Sequence, residues 1–153
     1  MVRVRAEIDF AAVWNFARAH HRLGPQSLHG PDHWERVEAH GLRLAAATAA
    51  ADLVVVRLFG ILHDVERQNE SFDPQHGPRA AALVEWLNGD LFSIHEEQLE
   101  LLSYACRRHA DGLTSDDPTV GCCWDSDRLD LPRVGILPDR EFMSTPLGRS
   151  LAR

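Results

Sequence analysis

The stretch Val54-Val55-Val56-Arg57-Leu58-Phe59-Gly60-Ile61-Leu62-His63-Asp64 decides how this chain folds. Its β-branched start suits a strand as well as a buried helix, because periodicity does not separate the two in a short apolar run. The rest of the chain settles the choice. No other segment carries strand patterning that could pair with it, so Asp52 to His63 is read as a helix. The closing doublet says something further. Desolvating two ionisable groups at the end of a hydrophobic run is costly unless they have a partner, and a divalent cation is one.

Helical patterning extends outward in both directions. Ile8 to His20 sets Phe10, Val13, Trp14, Phe16 and Ala17 close to one helical face, and Leu23-Gly24-Pro25-Gln26-Ser27 interrupts it. A second helix is predicted from near Pro31, a residue suited to a first turn, through Trp34, Val37, His40 and Leu44 into Ala45-Ala46-Ala47. Glu66 to Gly77 reads as a polar loop. Arg79 to Leu87 reads as a helix, with Gly89 as a left-handed cap. Ser93 and Glu96 form a capping-box pattern that opens a helix running to about His109. A shorter helix covers about Val120 to Leu131, and the tail from Pro132 ends in one helical turn. Trp14, Trp34, Trp86 and Trp124 are expected as core anchors. The expected fold is all-α, a compact single-domain helical bundle over residues 1–153, with a motif core at about 29–135 and a C-terminal strap at 136–153.

At 153 residues, with 44% hydrophobic and 25% charged, the chain can bury one substantial core. Its net charge of −7 argues against nucleic acid or an anionic membrane as the main partner. A small phosphate ester is still compatible, because a local metal outweighs global charge. No run is apolar and long enough to span a bilayer, and Met1 to Glu7 does not lead into a secretory signal peptide, so a cytoplasmic protein is expected. Cys106, Cys122 and Cys123 give neither a disulfide framework nor a Cys-x-x-Cys zinc pattern and are expected as reduced, buried thiols. Nothing in the pattern excludes a homodimer.

Nine histidines are many for this length, and their placement matters more than their number. One lies in the first turn of the second helix, within His29-Gly30-Pro31-Asp32-His33-Trp34-Glu35-Arg36-Val37. His63-Asp64 ends the third, and Trp124-Asp125-Ser126-Asp127-Arg128-Leu129-Asp130 lies far downstream. Histidines with carboxylates make a mixed nitrogen and oxygen donor set, which suits one divalent Mn, Fe, Co, Ni or Zn ion. His29, one turn before His33, reads as a loop or pocket-lining residue.

The order H…HD…D, with these three contexts over about His29 to Gly135, resembles the HD-domain superfamily of metal-dependent phosphohydrolases. The resemblance implies His33, His63, Asp64 and Asp127 as metal ligands, Asp127 being chosen because it directly precedes Arg-Leu. It implies a phosphohydrolase acting on a nucleotide or other small phosphate ester by way of activated water. Asp64, Glu66 and Arg67 are then the catalytic group, with Asp64 and Glu66 managing the proton and Arg67 holding phosphate. His76, His109 and Arg128 are the expected substrate-binding residues. Several branches of the superfamily instead use such extra histidines to complete a second metal site bridged by the doublet's aspartate. That arrangement leaves a di-iron oxygenase as one alternative, and a non-catalytic metal- or nucleotide-binding module as another.

Overall fold

A computed structural model describes residues 7–153. The reading of the chain start as leaderless falls largely on residues 1–6, outside the described residues. Seven helices are present among the described residues: α1 (Phe10–His20), α2 (Pro31–Ala46), α3 (Leu53–Leu62), α4 (His76–Leu87), α5 (Glu96–Arg108), α6 (Pro118–Arg128) and α7 (Pro146–Leu151). Short 3-10 turns at Leu131–Val134 and Arg140–Phe142 shape the strap between α6 and α7. An isolated bridge pairs Asn88 with Phe92, and no strand forms among the described residues. None of these helices is long and apolar enough to cross a membrane.

The Val-rich stretch is the central helix, as its isolation in the sequence predicts. Within α3 every residue from Val55 to Leu62 is buried except Arg57, and Asp52 caps its start by accepting from the Val55 N–H (3.1 Å). A helix apolar nearly all round must be surrounded, and α1, α2, α5 and α6 all pack against it. Asp9 and Asp117 cap α1 and α6 in the same way, and Pro31 and Pro118 occupy first-turn positions where no N–H is needed. The Trp124 indole N–H donates to the Ala105 carbonyl (2.9 Å), tying α6 to α5. All three cysteines are free and buried.

Four local expectations are corrected. First, α4 starts at His76 rather than Arg79, because Pro78 falls within its first turn, where proline is tolerated. Second, α5 is capped at His95, whose backbone N–H donates to Gln98 Oε1 (2.9 Å), so Ser93 and Glu96 are not the box. Third, α6 runs Pro118–Arg128 instead of Val120 to Leu131. Fourth, Trp86 is 67% exposed, since the buried stripe of α4 runs through Ala80, Leu83, Val84 and Leu87 and leaves Trp86 outside it.

Two glycines let the helices come close enough to build a site. A Cβ on Gly60 would lie 2.9 Å from the Glu38 Cα, so α3 meets α2 backbone to backbone. A Cβ on Gly77 would lie 2.7 Å from the Arg107 carbonyl oxygen and 2.9 Å from that of Cys106, so the start of α4 rests on the end of α5.

Candidate metal centre

The first contact brings together His33, in the first turn of α2, and His63, at the end of α3. Their Nε2 atoms lie 3.1 Å apart. Asp64 Oδ2 stands 3.3 Å from His33 Nε2 and 3.5 Å from His63 Nε2, and Asp127 Oδ1 is 3.1 and 3.3 Å from the same two atoms. The second contact brings together His76, opening α4, and His109, just past α5, with their Nε2 atoms 2.9 Å apart. Both of these face the other oxygen of Asp64, Oδ1, at 3.2 Å. Asp64 therefore stands between two histidine pairs, one on each oxygen. The groups His33, His63, Asp64 and Asp64, His76, His109 each converge tightly enough to hold a metal ion.

Proton placement explains why a cation belongs there. His63 Nδ1 faces the Phe59 and Gly60 carbonyls (3.1 Å each), His76 Nδ1 that of Asp73 (2.5 Å), and His109 Nδ1 that of Cys106 (2.6 Å). A carbonyl only accepts, so each Nδ1 carries the proton and donates it. His33 Nδ1 donates to Asp130 Oδ2 in the same sense (2.7 Å). In the neutral imidazoles all four Nε2 atoms are then bare acceptors, facing one another and carboxylate oxygens. Acceptors facing acceptors repel, and positive charge relieves them. Histidine ligands of metals have this arrangement, with the far ring nitrogen tied to a carbonyl or carboxylate.

The electrostatics agree. Burial alone would lower the His33 pKa, but hydrogen bonds to Asp127, Asp130 and Asp64 outweigh it and push the imidazole up to about 10. Burial would raise Asp64 and Asp127. The charge of His63 opposes it in both, together with hydrogen bonds from His109, His29 and His33 to Asp64 and from His33 and His63 to Asp127, and both carboxyls are held well below the usual range. Without an ion, His33 holds a proton in its place.

Among the residues expected from sequence, the structure gathers His33, His63, Asp64, Asp127, His76 and His109 into one cluster. Arg128 lies beside it, with Nη1 donating to the Phe142 carbonyl (2.6 Å) and Nη2 buried without a hydrogen-bond partner. Glu66 and Arg67 are not brought in. Glu66 Oε1 pairs with His20 Nε2 (2.5 Å), and Arg67 Nη1 donates to the Asn69 and Ser71 carbonyls (3.3 and 2.9 Å), bracing their loop. Neither makes a hydrogen bond or ion pair with the cluster among the described residues. Asp64 lies in the cluster itself, with one oxygen toward each histidine pair.

Asp130 and Asp73, which sequence reasoning missed, and His29, read there as a loop or pocket-lining residue, mostly serve the ligands. Asp130, passed over for Asp127, orients His33 and also accepts from Arg36 Nε (2.7 Å). Asp73 accepts from the Gln68 N–H (2.8 Å) and from Arg79 Nη2 (2.7 and 2.8 Å), fixing the turn whose carbonyl holds His76. His29 donates from Nε2 to the Glu70 carbonyl (3.3 Å) and leaves Nδ1 facing Arg133 Nη2 (3.4 Å) and Asp64 Oδ2 (3.7 Å). The i,i+3 spacing of Asp127 and Asp130 was the available signal for a ligand with its supporter. No family model, curated protein or solved structure matches this chain.

Proposed function

We propose that this chain is a metal-dependent phosphohydrolase of the HD-domain type, acting on a small phosphate ester. One observation carries the reading: the two oxygens of Asp64 face two separate histidine pairs, in an array of acceptors that positive charge relieves. The donors are imidazole and carboxylate, a set suited to Mn²⁺, Fe²⁺, Co²⁺, Ni²⁺ or Zn²⁺. His33, His63, Asp64 and Asp127 would hold one ion, and Asp64, His76 and His109 a second. A divalent cation there would lower the pKa of water and polarise a phosphoryl oxygen.

The chain's own residues supply binding and orientation. Asp127 Oδ1 faces His33 and His63, while its Oδ2 takes no hydrogen bond from any described residue and is the oxygen available to orient the attacking water. Arg128 supplies the nearby positive charge for phosphate. In the hydrolysis, the water oxygen bonds to phosphorus and the bond from phosphorus to the ester oxygen breaks. The alcohol leaves with a proton, and inorganic phosphate is the other product.

The test is metal content by mass spectrometry on protein purified without chelator, with phosphate release from a panel of esters, beside Asp64→Ala checked for folding by circular dichroism. Transition metal and turnover, both lost in a folded variant, are expected. Equal turnover in Asp64→Ala would sink the reading. The second histidine pair also favours an iron-dependent oxygenase, and two irons per chain with oxygen uptake but no phosphate release would select that alternative.

A further inference from the structure

The ligand cluster is sealed on most sides and accessible at one. Asp127 is the most exposed of its six side chains, at 16%, against 4% or less for the other five. Asp127 and His109 both line a cavity of about 470 Å³ between the ends of α5 and α6 and the C-terminal strap. That volume suits a small molecule.

The cavity walls have a definite chemistry. Leu131, Ile136, Leu137 and Phe142 give it an apolar lining, and Arg128 is its only cation among the described residues. The strap leaves Ile136, Leu137 and Phe142 about half exposed. Clustered apolar side chains at the mouth of a polar site mark a surface that something covers. Arg128 is 8% exposed, with Nη1 held by the Phe142 carbonyl and Nη2 unpartnered. A buried donor left unsatisfied is unfavourable, and this guanidinium belongs to a residue of the cavity wall. One guanidinium, with the Asp139 carboxylate also on the wall, does not provide for a chain of phosphates.

We propose that this cavity is a specificity pocket for a phosphate monoester with an apolar or aromatic ester group. The phosphate lies toward Asp127, His109 and Arg128, and the apolar group packs on Ile136, Leu137 and Phe142. This rests on the phosphohydrolase reading and narrows it, from phosphate esters in general to singly phosphorylated, apolar ones.

Binding and turnover are measured separately on Mn²⁺-reconstituted protein. Calorimetry compares 2-phenylethylphosphonate with ethylphosphonate, which carry the same charge and cannot be hydrolysed, and phosphate release compares the two corresponding alkyl phosphates. The phenyl compound is expected to bind about tenfold more tightly, the effect of burying part of one ring. Leu137→Asp, at an exposed position, is expected to erase most of that preference. Equal affinities, or no binding of either phosphonate, overturn the pocket. A preference that survives Leu137→Asp, in a variant that converts a dimer to a monomer by light scattering, also overturns it, because a second copy then covers these side chains. A preference without turnover of any ester supports the pocket and overturns the hydrolase.

Discussion

Gly77→Ala tests whether the second histidine pair is a metal site in its own right. The added Cβ would sit 2.7 Å from the Arg107 carbonyl oxygen and 2.9 Å from that of Cys106. Both obstacles are backbone, so no side chain can swing aside. Reaching an ordinary contact of about 3.4 Å requires the start of α4 and the end of α5 to part by about 0.7 Å. His76 is the neighbouring residue, and the Cys106 carbonyl is the group that orients His109, so the movement falls on both ligands at once. Metal sites tolerate about 0.2 Å in ligand distance. Stability changes less: overpacking costs about 1–3 kcal/mol, and alanine in place of helical glycine returns about 1 kcal/mol. The net of about 0–2 kcal/mol corresponds to a Tm drop of at most about 8 °C for a chain of this size. The assay is metal per chain by mass spectrometry, alongside a thermal melt. The expected result is a folded variant that falls from two ions to one, the remaining ion held by His33, His63, Asp64 and Asp127. A variant that keeps two ions at wild-type affinity would refute the claim that the α4–α5 contact builds the second site.

Two further outcomes follow from the first site. Asp130→Asn removes the charged partner of His33 Nδ1 without touching a ligand, and metal affinity measured against a competing chelator should fall about 10–100-fold; an unchanged affinity would show that Asp130 does not support the ligand. In chelator-treated protein, His33 has a folded pKa raised from 6.5 to about 10, so its stabilising contribution is full below pH 6.5 and is lost as pH rises toward 10. Asp64 and Asp127 are lowered from 3.8, so their contribution is present above that pH and is lost as it falls. Melting temperature without metal should therefore be highest between about pH 4 and 6.5 and decline on the alkaline side, and a flat profile from pH 6 to 10 would contradict a protonated His33 in the metal-free protein.

The first triad was legible because its members advertise themselves locally. His63-Asp64 closes a hydrophobic helix where an unpartnered doublet is costly, and His33 opens a helix just after a proline. The second pair was visible only as two histidines with uncertain work. His76 was hidden inside an apparent loop, because Gly77-Pro78 reads as a break when it is in fact the first turn of α4. The glycine that seemed to end structure is the one that allows α4 to rest on α5. Glu66 and Arg67 misled for the opposite reason. Sequence proximity to the doublet suggested the site, but the chain turns after Asp64, and both side chains are taken up by His20 and by the following loop. The apolar pocket wall left no periodic signal, since the strap is mostly irregular.

The position of three of the four histidines at turns and helix ends has a physical consequence. The last carbonyls of a helix lack intrahelical donors. His63 and His109 sit at the C-terminal caps of α3 and α5, where each Nδ1–H reaches a carbonyl three residues back, Gly60 and Cys106. His76 does the same with Asp73 at the turn into α4. The bond that satisfies the backbone also fixes the tautomer, and with it the direction of the Nε2 lone pair. For His63 and His109 no separate side chain is needed to prepare the ligand, whereas the turn that holds His76 is itself braced by Asp73 and Arg79. His33 is the exception that bears this out. It lies in the first turn of α2, where its ring makes no such bond to a preceding carbonyl, and it relies on a carboxylate from the far end of the chain, Asp130. Ligands prepared by their own helix ends depend on local folding alone, whereas His33 depends on α6 and the turn after it being in place. The first triad is therefore completed only by long-range packing, and the second by the contact between α4 and α5.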